Sequence, residues 1–147
     1  MKLSTRARYG LRALLDLGLH QGDGLVQLKS IALRQQISLP YLEHLVRPLI
    51  AGGLVKSVRG ARGGVMLYKP ASEIRLREVI RLLEGPIGLV ECVDNPATCE
   101  RSAVCVVRDV WSAMEEAMVG VLDSMTLQDL VQREETKRQA AMETYCI

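Results

Sequence analysis

Apolar positions recur along this chain first at helical spacing, then at alternate residues, then at helical spacing again, and these switches mark its elements. Tyr9, Leu11, Leu14, Leu15 and Leu19 outline an amphipathic first helix, with Ser4 a suitable N-cap and Gly22-Asp23-Gly24 a closing turn. A second, short helix is expected around residues 28–34, with Ile31 and Ala32 facing inward. Ile37-Ser38 reads as a tight turn, and Ser38 would cap a third helix through Tyr41, Leu42, Leu45, Val46 and Leu49. Pro40 falls in its first turn, where the missing N–H costs nothing, and Gly52-Gly53 stops it. Pro48 lies inside the same helix and predicts a kink or an early end, since a straight path would cost about 3 kcal/mol locally.

Residues 54–58 and 65–69 alternate with period two and are joined by Arg59-Gly60-Ala61-Arg62-Gly63-Gly64, which predicts a β-hairpin. After Ser72, the residues Ile74, Leu76, Val79, Ile80, Leu82 and Leu83 predict a short amphipathic helix closed by Gly85-Pro86. Val107, Trp111, Met114, Met118, Val121, Leu122 and Met125 form a stripe on a long helix, which packing against a second copy explains best. Folding back onto its own domain is the alternative. Thr126 then caps a short helix through Leu127, Leu130 and Val131, with Asp129 near its start. From Arg133 the chain is polar and is expected to fray.

The expected fold class is therefore mainly α with a small β-hairpin: a winged helix-turn-helix plus a long C-terminal dimerisation helix. Residues 1–84 would form the winged part and residues 85–106 a cysteine-containing loop. Residues 107–132 would form the dimerisation helix and its short successor, and residues 133–147 a polar tail.

At 147 residues the chain is long enough to bury a core, and its 48% apolar and 24% charged content suits a soluble protein. It has no uninterrupted apolar run fit to span a membrane, and its first residues lack the apolar run of a signal peptide. A cytoplasmic location follows as the expectation.

The net charge of +2 conceals an asymmetry. Residues 1–70 carry 11 Lys and Arg against 3 Asp and Glu, whereas residues 71–147 carry 8 against 14. A basic first half suits a polyanion. Two short helices joined by a tight turn, followed by a glycine-rich hairpin tip with two arginines, are the parts of a DNA reader. Candidate contacts are Lys29, Ser38, Pro40, Tyr41, Glu43 and Arg47 on or beside the helix pair, with His44 on the same helix. Arg59, Gly60, Arg62, Gly63 and Gly64 are the candidates in the wing. Glycines there let the backbone approach a phosphate or a narrow groove, and the arginines supply charge and planar donors. Glu43 can accept from a cytosine amino group while repelling phosphate; its plainer role is an i, i+4 pair with Arg47.

Cys92, Cys99 and Cys105 lie within fourteen residues, as C-x6-C-x5-C, and Asp94-Asn95-Pro96 keeps the first span turn-like. The chain has no CxxC, so a zinc ribbon is not indicated. By residue type alone the thiols could bind metal, pair by oxidation or remain inert. Cys146, beside the C-terminus, reads as a free terminal thiol.

The run Ile31-Ala32, Ile37-Ser38, Tyr41-Leu42-Glu43, Leu49, Gly53-Leu54-Val55, Ser57-Val58-Arg59-Gly60 and Gly63-Gly64 resembles the winged-helix regulators of the iron–sulfur cluster regulator (IscR-like) family. That family also contains nitric-oxide-sensing and iron-responsive repressors. The opening Met1-Lys2-Leu3-Ser4 and the three-cysteine segment share the likeness, so it covers most of the chain. It implies a homodimer on a two-fold symmetric double-stranded DNA operator, with Ser38, Tyr41 and Glu43 at the major groove and Arg59 in the wing. The dimer interface would use Trp111, Met114, Met118, Val121, Leu122 and Met125.

The same resemblance implies an iron–sulfur cluster, 2Fe-2S or 4Fe-4S, on Cys92, Cys99 and Cys105. Relatives complete such a site with a histidine three residues past the last cysteine, or with an acidic residue near the partner's N-terminus. Here position 108 is Arg, and no acidic residue precedes Asp16. Glu91, Asp94, Glu100 and Asp109 are candidates nearby, and Cys146 is one if the tail folds back. The expected protein is a transcription regulator, a repressor rather than an enzyme, answering to cluster supply, iron, nitric oxide or redox state. A zinc site or a thiol–disulfide switch at the same cysteines is the alternative. A thiol redox enzyme is disfavoured by the lack of CxxC and of a histidine near the cysteines.

Overall fold

The computed structural model describes residues 2–146. In chain order the elements are α1 (Thr5–Leu19), α2 (Leu28–Gln35), α3 (Leu39–Ala51), β1 (Val55–Val58), β2 (Gly64–Leu67), α4 (Leu76–Glu84), α5 (Glu91–Asp94), α6 (Val106–Ser124) and α7 (Leu127–Tyr145). Two 3-10 turns, Ala71–Glu73 and Pro96–Thr98, lie between them. The mainly helical architecture with one antiparallel hairpin agrees with the expected class.

Ser4 caps α1 as predicted, its hydroxyl accepting from the Ala7 N–H at 3.1 Å. The inward face is different from the one the leucines suggest. Ala7, Gly10, Ala13, Leu14, Leu17 and Gly18 are buried, while Tyr9, Leu11 and Leu15 pack half-buried at the flank. Close helix crossings explain this. A Cβ on Gly10 would lie 2.6 Å from Leu83 Cδ1 on α4, and one on Gly18 would lie 2.8 Å from Val131 Cγ2 on α7.

The turn between α2 and α3 rests on Gln36 in the left-handed region (φ 55°) and on the Ile37 N–H donating to the Ala32 carbonyl at 3.0 Å. Ser38 takes the N-cap position of α3, but its hydroxyl makes no capping bond. Pro48 does not end the helix early, contrary to that part of the expectation. α3 runs three residues further, and the Pro48 carbonyl accepts from the Gly52 N–H at 2.9 Å. Little helix follows the proline, and burial of Leu45, Val46 and Leu49 holds that last turn in place.

In the hairpin Val55 pairs with Leu67 and Val58 with Gly64. Val26 adds a bridge to Val65, with both N–H···O bonds at 2.8 Å, so the wing is tied to the segment before α2. Gly64 permits this approach, since a Cβ there would lie 2.6 Å from the Val26 carbonyl oxygen. The core gathers Leu14, Ile31, Leu42, Leu49, Leu54, Val65, Ile74 and Leu83 from these elements and Leu127 from α7.

α4 begins at Leu76, two residues later than Ile74. Residues 74–76 instead run beside 125–127, with Leu76 N–H donating to the Met125 carbonyl at 3.0 Å and Leu127 N–H to the Ile74 carbonyl at 2.8 Å. Thr126 and Asp129 then form a reciprocal capping box on α7. The segment from Arg133 is no frayed tail: α7 continues through it to Tyr145. Its Glu, Lys, Arg, Gln, Ala and Met are good helix formers, and Glu134 pairs with Arg138 one turn on at 2.9 Å. Polarity there marks exposure, not loss of helix. Among the described residues no helix is long and apolar enough to cross a membrane.

Candidate nucleic-acid interface and cysteine loop

The helix pair is braced by a buried charge, which in the sequence is no more than one of three acids in the basic half. Asp16 on α1 is 2% exposed. Its carboxylate accepts from Arg34 Nη2 at 2.6 Å, Arg34 Nε at 3.0 Å and Gln35 Nε2 at 3.0 Å. Burial opposes its ionisation, but the hydrogen bonds from Arg34 and Gln35 and the charges of Arg34 and His20 outweigh that, holding the carboxyl below its ordinary range. Asp16 in turn raises the Arg34 value. His20 Nδ1 donates to the Asp16 carbonyl oxygen at 2.7 Å, which accounts for this histidine locally. The only local signal of this brace is one acid inside the run Leu14-Leu15-Asp16-Leu17-Gly18.

On that brace, Lys29 is exposed in the first turn of α2, and Ser38, Pro40, Glu43, His44 and Arg47 are exposed along α3. Glu43 and Arg47 form no ion pair with each other among the described residues, so both heads are available to a ligand. Tyr41 is half-buried, its ring edge-on to Tyr9 with centroids 6.3 Å apart. In the wing Arg59, Gly60 and Arg62 are exposed, while Gly63 and Gly64 are half-buried. Gly60 has φ 111° and accepts from the Gly63 N–H at 3.0 Å. A Cβ on Gly63 would strike the Val58 carbonyl oxygen and lie 2.8 Å from the Arg59 carbonyl carbon. The tip therefore needs its glycines for its shape, and that shape leaves both arginines outward.

Cys92 sits in α5, Cys99 just after the Pro96–Thr98 turn, and Cys105 at the N-cap of α6. All three are half-buried free thiols, and Cys146, past the end of α7, is an exposed one. Asn95 builds the expected turn, its side-chain oxygen accepting from the Ala97 N–H at 3.3 Å. Among the described residues no three His, Cys, Asp or Glu side chains are gathered closely enough to hold a metal ion. In kind the donors fit a soft metal or cluster, being three free thiols on one short loop. Seating such a group requires the loop to draw in. Glu91, Asp94, Glu100 and Asp109 are exposed around it. Arg108 is engaged elsewhere, its Nε donating to the Cys92 carbonyl at 2.8 Å and its Nη2 to the Val93 carbonyl at 3.4 Å. Leu89 N–H donates to Glu115 at 3.3 Å, so the loop is stitched along α6.

At the far end of α6, Asp123 ties it to α4 through Arg77 at 2.9 Å and Arg75 at 3.1 Å. Between these ties no residue of α6 is buried. Trp111 and Val121 are exposed, Met114, Met118 and Leu122 are half-buried, and Met125 lies just beyond the helix. Val106 and Val110, absent from the expected stripe, are exposed as well.

The family model described as Rrf2, "Iron-dependent Transcriptional regulator", matches residues 3–133. Protein rrf2 of Nitratidesulfovibrio vulgaris is 43% identical over 131 residues, 89% of this chain and 87% of the relative. The solved structure of CymR, the global cysteine regulator of B. subtilis, superposes with a TM-score of 0.77 at 42% identity, covering 90% of this chain and 98% of that one. IscR of T. potens gives a TM-score of 0.76 at 40% identity, covering 93% and 90%.

Proposed function

The chain belongs to the Rrf2 family of transcriptional regulators, and we propose that it acts as a homodimeric repressor whose operator binding is set by its cysteine loop. The observation that carries this reading is the position of Cys105 as the N-cap of α6. Whatever binds or oxidises the thiols acts at the root of the helix whose apolar side is bare. In a dimer joined through Trp111, Met114, Met118, Val121, Leu122 and Met125, a change at that root alters the spacing of two α3 helices. Half-site spacing is a geometric requirement of such binding.

On DNA, Ser38, Pro40, Tyr41, Glu43 and Arg47 meet the major groove. Lys29 and the wing residues Arg59, Gly60, Arg62, Gly63 and Gly64 meet phosphate or the minor groove. At the loop, Cys92, Cys99 and Cys105 would hold an iron–sulfur cluster, of two or four irons, with the fourth ligand drawn from Glu91, Asp94, Glu100 or Asp109. Bound there, a cluster would supply redox-sensitive, exchange-prone chemistry where the loop meets α6. The family description as iron-dependent supports this reading. Arg108 holds the Cys92 end of the loop against α6 through backbone carbonyls.

A second reading, a thiol switch without metal, is favoured by the likeness to a cysteine regulator. Anaerobic purification separates the two. The cluster reading expects brown protein with acid-labile sulfide, losing colour on Cys92→Ala, Cys99→Ala or Cys105→Ala but not on Cys146→Ala. Colourless protein carrying zinc, or a cysteine cross-link formed on oxidation that changes DNA affinity, overturns it in favour of the alternatives.

A further inference from the structure

The buried carboxylate of α1 is the start of a path that ends on the recognition helix. Gln35, the last residue of α2, uses both ends of its side-chain amide. Its Nε2 donates to Asp16 at 3.0 Å, and its Oε1 accepts from Arg12 Nε at 3.2 Å. Its backbone carbonyl accepts from Arg12 Nη2 at 2.7 Å. The next residue is the left-handed Gln36, so the turn that sets the angle of α3 is held on one side by Asp16 and on the other by Arg12. The Arg12 guanidinium carbon lies 5.2 Å from the centre of the Tyr9 ring. Tyr9 stands edge-to-face, at 85°, against Tyr41, the third residue of α3.

We infer that Arg12, Gln35 and Tyr9 are positioning residues for sequence-specific DNA recognition, setting how α3 and its Tyr41 are presented while lying outside the recognition helix. The inference rests on α3 being the DNA-reading helix. Gln35 is half-buried, with its amide committed at both ends. Arg12 is exposed, and a plain phosphate contact is the competing role for it. Its Nε and Nη2 are both engaged by Gln35, a two-point grip that a lysine ammonium cannot reproduce.

The test takes full-length protein and a duplex that wild type enriches from a random pool, compared with a scrambled duplex of the same composition. Gln35→Leu changes no charge, Arg12→Lys preserves charge, and Tyr9→Leu cuts the path at its aromatic end. Each is expected to lower the preference for the enriched duplex about tenfold, a loss comparable to one mismatched base pair. Affinity for the scrambled duplex and the salt dependence of binding stay as in wild type, because phosphate contacts are untouched. Tyr9→Leu keeps the question answerable if Gln35→Leu does not fold. Variants that retain the wild-type preference overturn the inference. So does an Arg12→Met variant that weakens both duplexes equally with a shallower salt slope while Arg12→Lys behaves as wild type. A wild-type protein that enriches no sequence removes the DNA-binding reading itself, and the positioning role with it.

Discussion

Asp16 is buried with Arg34 and Gln35 around its carboxylate. A group whose pKa is lowered on folding stabilises the fold above its unfolded value, and that contribution is lost as pH falls through the folded value. The window therefore opens near pH 4, where an unfolded aspartate titrates, and extends downward. Asp16→Asn is expected to cost about 2 kcal/mol at neutral pH, the scale of hydrogen bonds made to a charged group, because the Arg34 left behind is partly exposed to solvent. Urea denaturation of both proteins from pH 7 to pH 3 checks it. The gap should narrow below pH 4; a gap independent of pH would mean that shape, not charge, is what Asp16 contributes. Gly63 makes the opposite kind of point, since it acts by lacking a side chain where the Val58 carbonyl closes over it.

Among the elements, tertiary contacts and caps decide what local preference leaves open. Pro48 predicts a kink or an early end, yet burial of its neighbours carries α3 on to Ala51. After Arg133 polarity predicts fraying, yet there local preference itself prevails, and helix-forming residues carry α7 to Tyr145. The start of α7 depends on the Thr126–Asp129 box, in which the Thr126 hydroxyl accepts from the Asp129 N–H at 3.3 Å and the Asp129 carboxylate accepts from the Thr126 N–H at 2.7 Å. Thr126→Ala is expected to lower stability by about 1 kcal/mol. It should shift the urea midpoint while leaving the slope unchanged. Because Leu127 and Val131 of the same turn pack on α1, a larger loss would show that the cap also sets their docking.

Across the molecule, the winged body and α6 differ in how they are held. The body closes on a continuous core, whereas α6 leans on α4 and α5 with nothing buried along its length. If its apolar side is the dimer contact proposed above, Trp111→Asp shifts the mass in sedimentation from two chains to one. Binding to a two-half-site operator should then fall by at least about tenfold, since avidity between half-sites is lost. A dimer that survives this change would assign the stripe another partner. Much of this architecture is legible in the residues alone. Ser4, Gly52-Gly53, the Arg59–Gly64 tip and Thr126 declare ends and turns through chemistry that is local to a few residues. The order of the longer helices, the hairpin, and the placement of three thiols before the long helix therefore follow from sequence, whereas the four-residue α5 that holds Cys92 lies where a loop is expected. Which positions meet across the chain emerges only on folding. Glycines and alanines share the inner face of α1 with Leu14 and Leu17 because α4 and α7 pass so close. Asp16 becomes the brace of the helix pair, and Arg108 a clamp on the cysteine loop, because partners 15 to 19 residues away come within hydrogen-bond reach. Such pairings depend on folding the whole chain, and no period or local motif encodes them.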